Sequence, residues 1–102
     1  MTNYLISYDI ADDKLRTKAA KILQANACKR VQKSVFLAQA FSQKEIQQVR
    51  DQLGKLMQSP KKLATDSILC WPASDQQISA MRWEGDQPFF DNLINGSDFL
   101  MY

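Results

Sequence analysis

Apolar and polar positions divide the chain into segments of different period. Tyr4 to Ile10, "YLISYDI", is rich in β-formers and predicts a strand. The period then changes. Leu15, Ala19, Ile22 and Leu23 recur at helical spacing and predict a buried helix face. Asp12 or Asp13 can cap that helix, and both carboxylates suit its positive end. Cys28 to Ala40 follows, apolar and β-branched. A period of two puts Val31, Lys33, Val35 and Leu37 on one side and Arg30, Gln32, Ser34 and Phe36 on the other. This fits one strand of about ten residues, or two short strands bent near Gln32 and Lys33. No Gly or Pro marks a turn there, so both readings stay open.

Ser42 opens a second helix through the capping box "SQKE". Ile46, Val49, Leu53, Leu56 and Met57 form its apolar stripe, and Pro60 enforces the stop. "TDSILCW", Thr65 to Trp71, predicts another strand closed by Pro72. Ile78 to Trp83 predicts a short strand that Gly85 ends. "PFFDNLINGSDFLMY" is too aromatic for a disordered tail and is expected to pack on this domain or on a second copy.

If Cys28 to Ala40 is a hairpin, the order is β-α-β-β-α-β. That order gives an α+β, ferredoxin-like sandwich with both helices on one face of the sheet and an additional C-terminal strand. A chain of 102 residues suits one domain, with residues 73–102 as a C-terminal extension for dimer or partner contacts.

Composition narrows the chemistry more than the fold. The chain holds no histidine and no CxxC pair, which removes zinc sites, histidine bases and Cys–His nucleophiles together. Cys28 and Cys70 each stand alone among apolar residues and read as reduced, buried thiols. Any metal must therefore be held by oxygen, which favours Mg²⁺, Mn²⁺ or Ca²⁺. Glycines occur only at Gly54, Gly85 and Gly96, so there is no glycine-rich phosphate loop. No apolar run approaches the roughly 20 residues of a membrane span and no basic-then-apolar leader is visible, so no membrane partner and a cytoplasmic location are expected.

Charge is distributed unevenly. Residues 1–63 carry twelve Lys/Arg against five Asp/Glu, whereas residues 64–102 carry one against six. A basic body suits a polyanion partner. Lys14, Lys18 and Lys21 fall at helical spacing, with Arg16 to one side. Such a stripe is ordinarily a solvated helix face.

Asp9 is the candidate for chemistry: a carboxylate at the end of an apolar strand, just ahead of a helix. Its ordinary reading is a cap or an ion pair. A single aspartate makes a poor metal site, but a two-fold dimer supplies a second carboxylate from the same position. A divalent ion held there can activate water and polarise a phosphodiester, with Arg16 and Arg30 neutralising the phosphate oxygens.

Two motifs in order, "YDIADDKLRTKAAKIL" and "RVQKSVFLA", with "TDSILCWP" after them, resemble the small CRISPR-associated adaptation proteins. That family is described both as a metal-dependent endonuclease and as the partner of the CRISPR integrase. The resemblance covers roughly residues 3–72. It implies a ferredoxin-like homodimer, two short strands within Cys28 to Ala40, and a C-terminal strand that extends the partner's sheet. Asp9 becomes the catalytic and metal-holding residue, with Mg²⁺ as cofactor and Mn²⁺ as the substitute. Tyr8, Arg16, Arg30, Ser34 and Phe36 become its supporting residues. Lys14, Arg16, Lys18, Lys29, Arg30 and Lys33 become contacts to duplex DNA, or to RNA. The implied function is acquisition of new spacers with the integrase subunit. The alternatives are a non-catalytic DNA-binding adaptor in that complex, or an RNA-cleaving toxin of the related virulence-associated type D group. Two departures stand out: Leu15 replaces a frequent second arginine, and no glycine precedes "RVQ", where Asn26, Ala27, Cys28 and Lys29 stand.

Overall fold

A computed structural model describes residues 1–85. The elements run β1 (Thr2–Asp9), α1 (Asp13–Ala25), β2 (Lys29–Gln32), β3 (Val35–Phe41), α2 (Gln43–Leu56), β4 (Ser67–Ala73) and α3 (Asp75–Ser79). The sheet is antiparallel in the order β2-β3-β1-β4, so β1 lies between β3 and β4. This is the expected β-α-β-β-α-β arrangement. Cys28 to Ala40 does divide into two strands, joined by a turn at Lys33 and Ser34.

The pleat sends alternate residues of β1 to opposite faces. Ile6 and Tyr8 join Phe36, Ala38, Leu15, Ala19, Leu23, Ile46, Val49 and Leu53 in the core between sheet and helices. Leu5 joins Val31, Leu37, Ala73 and Ile78 in a smaller cluster on the outer face. Ile22, Leu56, Met57 and Cys70 sit only half-buried at the rim of the main core. Cys28 is buried within it.

The local signals act as expected at both long helices. Asp12, not Asp13, caps α1, its carboxylate accepting from the Leu15 amide. Ser42 and Glu45 complete the capping box of α2. The end of α1 resolves the missing glycine. The Ala27 amide donates to the Gln24 carbonyl and the Cys28 amide to the Leu23 carbonyl, the two bonds of a Schellman motif. Ala27 accordingly takes the left-handed conformation, with φ 62°, in the place where glycine is favoured.

Three expectations need correction. Ile78 to Trp83 does not form a strand: Asp75 to Ser79 is helical. Its signal was a second capping box, Ser74 with Gln77, hidden behind apolar residues that suit either structure. Ile78 is buried on the outer face of the sheet, with Met81 and Trp83 packed beside it. Pro72 does not close the last strand, which continues to Ala73. β4 lies at the sheet edge, where an absent amide hydrogen is tolerated. The first strand also starts and ends earlier than expected, at Thr2 and Asp9. Ile78 to Trp83 was the additional C-terminal strand of the expected sandwich, and the packing expected of "PFFDNLINGSDFLMY" lies outside the described residues.

Candidate nucleic-acid groove and carboxylate site

The end of β1 places two neighbouring residues on opposite faces. Tyr8 turns towards the helices and is buried. It grips the hairpin turn twice: its amide donates to the Ser34 carbonyl and its hydroxyl to the Lys33 carbonyl, each at 3.0 Å. Its ring lies 6.2 Å from that of Phe36. The Arg30 guanidinium sits over the other aromatic partner, 4.9 Å from the Phe36 centroid. Phe36 is fully buried, so its part is to support Arg30 from beneath rather than to touch a ligand.

These contacts build one wall of a groove of about 660 Å³ along the seam between α1 and the β2–β3 hairpin. Tyr8 and Arg30 come from the sheet, Lys33 and Ser34 from the hairpin turn, and Arg16, Thr17, Ala20, Lys21 and Gln24 from α1. Among the described residues, four cations and no carboxylate line it. Lys14 and Lys18 lie with Lys21 on the adjoining surface of α1, so the lysine stripe continues the groove. Lys29 does not join it. It stands opposite Leu37 in the sheet register, and Leu37 belongs to the outer face.

Arg16 is anchored at the mouth of α1. It pairs with Asp13 and donates to the carbonyls of Ile10 and Ala11 at 3.4 Å. Both partners of the ion pair are well exposed, so the pair itself contributes little to stability.

Asp9 ends the same strand on the outer face, exposed and in register with Ser67 of β4. Leu5, Ser7 and Asp9 of β1 face outward beside Ser67, Leu69 and Trp71 of β4. Leu69 is 62% exposed and Trp71 36%, unusual for apolar residues on a strand. The other aspartates of the described residues are all engaged. Asp12 caps α1, Asp13 pairs with Arg16, Asp51 accepts from Gln47, Asp66 accepts two backbone amides, and Asp75 accepts from Asn3. The Asp9 side chain alone among them makes no hydrogen bond or ion pair. The ordinary reading of Asp9 as a cap or ion-pair partner therefore fails, because its neighbours fill those roles.

Sulfur chemistry finds no place. Burial pushes the Cys28 thiol up to about 12, with nearby Cys70 adding to the effect, so it stays protonated and unreactive at neutral pH. Burial raises the Cys70 thiol too. Reasoning from sequence missed Asp66, which is buried at the α2–β4 junction, because nothing local distinguishes it from a loop aspartate.

A family model described as "CRISPR associated protein Cas2" matches residues 1–81, from β1 through α3. The chain belongs to that family. A protein of Korarchaeum cryptofilum named "CRISPR-associated endoribonuclease Cas2" is 32% identical over 74 residues, 72% of this chain and 74% of that one. A Synechocystis protein named "CRISPR-associated endoribonuclease Cas2 3" is 33% identical over 85 residues, 83% of this chain and 86% of that one. The crystal structure of a hypothetical protein, TT1823 from Thermus thermophilus, shares the Cas2-like fold. Its TM-score is 0.65 at 26% identity, covering 85% of this chain and 94% of that one. Among the described residues, no helix is long and apolar enough to cross a membrane.

Proposed function

We propose that this Cas2-family chain is a CRISPR adaptation protein of the cytoplasm, a metal-dependent endonuclease that works as a homodimer with the CRISPR integrase in acquiring spacers. The single observation that carries the catalytic part is Asp9: an exposed carboxylate without a partner, at the end of a strand, on a face whose Leu69 and Trp71 are uncovered. No group of three or more metal-ligating side chains occurs among the described residues, so one chain offers half a site. A second copy stacked on the outer face by two-fold symmetry covers the apolar residues and brings its own Asp9 alongside. Two carboxylates then suit Mg²⁺, or Mn²⁺, which supplies Lewis-acid polarisation of a phosphodiester and activation of water.

The chain's own residues do the rest. Arg16, Lys21, Arg30 and Lys33 hold phosphate oxygens in the groove, and Lys14 and Lys18 extend the track along α1. Phe36 and Tyr8 keep Arg30 and the Lys33–Ser34 turn in place. The test is cleavage of DNA and RNA by purified protein with Mg²⁺, Mn²⁺ or chelator, beside Asp9→Ala. RNA belongs in the assay because both relatives are named endoribonucleases. Cleavage that needs metal and disappears in the variant supports the reading, and equal cleavage by both proteins defeats it.

A second reading is a non-catalytic DNA adaptor. The favouring observation is that the groove is complete within one chain and owes nothing to Asp9. It predicts that Asp9→Ala leaves both duplex binding and spacer acquisition in cells intact.

A further inference from the structure

Asp66 is charged, yet only 7% exposed. Burial of a carboxylate is costly unless its oxygens are well satisfied. Both are. One oxygen accepts from the Ala11 amide at 3.1 Å and the other from the Leu63 amide at 2.9 Å. The carboxylate thus bolts the β1–α1 connection to the α2–β4 connection, two loops 55 residues apart in the chain.

The loop it holds is the one that matters for the site. Residues 10–12 separate Asp9 from the first turn of α1. The carbonyl of Ala11, whose amide Asp66 holds, accepts from Arg16 on its other side, as does the carbonyl of Ile10. Asp66 also directly precedes Ser67, the register partner of Asp9. Each of its two oxygens is turned to an amide of a different loop. We infer that Asp66 is a positioning residue: it fixes the Ile10–Ala11 carbonyls on which Arg16 rests, and so aims Arg16 into the groove. This inference rests on the proposed role of Arg16 in holding nucleic acid.

The test is a double-mutant cycle between Asp66→Asn and Arg16→Ala, read as the dissociation constant for a short labelled duplex at fixed salt. Asparagine can serve only one of the two amides, because its amide nitrogen is itself a donor. Each single variant is expected to weaken binding about fivefold, and the pair no further than Arg16→Ala alone, since the two act in series. A pair that loses the product of two real single effects, or an Asp66→Asn variant that binds like wild type while its melting temperature falls, shows a merely structural carboxylate and overturns the inference. If Asp66→Asn does not fold, Ala11→Pro removes the amide donor while leaving Asp66 in place, and the same cycle and criterion apply. If the wild-type protein binds neither DNA nor RNA, the proposed function itself has failed, and the role of Asp66 falls with it. A wild type that binds but shows additive losses refutes the role of Asp66 alone.

Discussion

Tyr8 and Asp9 are bonded neighbours, yet they serve two different surfaces. On the helix side, Tyr8 braces a groove with Arg16, Lys21, Arg30 and Lys33 along its walls. On the outer side, Asp9 stands on a face with Leu69 and Trp71 beside it and no cation bonded to it. The groove is assembled by one chain from three elements. The carboxylate face is half an arrangement, with one acid and uncovered apolar area. A strand pleat is enough to separate the two roles, because consecutive side chains point to opposite faces. Under the proposed function, holding a polyanion and cleaving it become separable: the first is assigned to the protomer and the second to a pair.

The sharpest way to break that comparison is Asp9→Ala. Cleavage should fall roughly 100-fold or more, with duplex affinity within about twofold of wild type, as measured by gel cleavage and fluorescence anisotropy on the same preparation. A parallel fall in affinity would merge the two surfaces into one.

Next in size is the paired change Arg16→Gln with Arg30→Gln. Binding should weaken about tenfold, and the slope of log affinity against log salt should become shallower by about one for each phosphate no longer neutralised. Metal dependence of any remaining cleavage should be unchanged.

A smaller effect separates two lysines that looked equivalent in the sequence. Lys33→Gln should weaken duplex binding about threefold, while Lys29→Gln should change it less, because Lys29 stands in register with an outer-face residue. The reverse order would move the phosphate track onto the outer face.

The smallest effects lie outside both surfaces and serve as controls. Ala27→Gly should raise stability by about 1 kcal/mol in chemical denaturation, since glycine accepts the left-handed conformation that alanine adopts there at a cost. Binding and cleavage should not move. Hydrogen bonds from the backbone and side chain of Ser42 hold the Glu45 carboxyl below its usual range. Its contribution to α2 is thus present above the ordinary glutamate range and fades as pH falls through the lowered value. The melting temperatures of wild type and Glu45→Gln should differ at neutral pH and converge on acidification.

Much of the fold was legible locally. The buried stripes at Leu15, Ala19 and Leu23 and at Ile46, Val49 and Leu53 follow from helical periodicity, and the capping box at Ser42 from side-chain chemistry. The hairpin inside Cys28 to Ala40 was not, because its turn uses Lys33 and Ser34 and is held by Tyr8 from 25 residues away. The helix at Asp75 was obscured for a related reason. Five residues are too few for a period to show, and it is held by burial of Ile78 and by Asn3 donating to Asp75.

For the site, residue types and their order set the chemistry on offer. The chain contains no histidine, its cations crowd the first two-thirds, and it carries a lone aspartate at a strand end inside a recognisable pair of motifs. How those groups are shared out follows from packing between distant segments. Residue type and spacing state what a side chain can do. Which aspartate is free to do it depends on the others finding partners. Asp12 and Asp13 find theirs within one helical turn, but Asp66 finds Ala11 only when two distant loops meet. Sheet pairing likewise sent Lys29 away from the groove and Asp9 to the opposite face from Tyr8, since a strand's faces acquire meaning only when helices cover one of them.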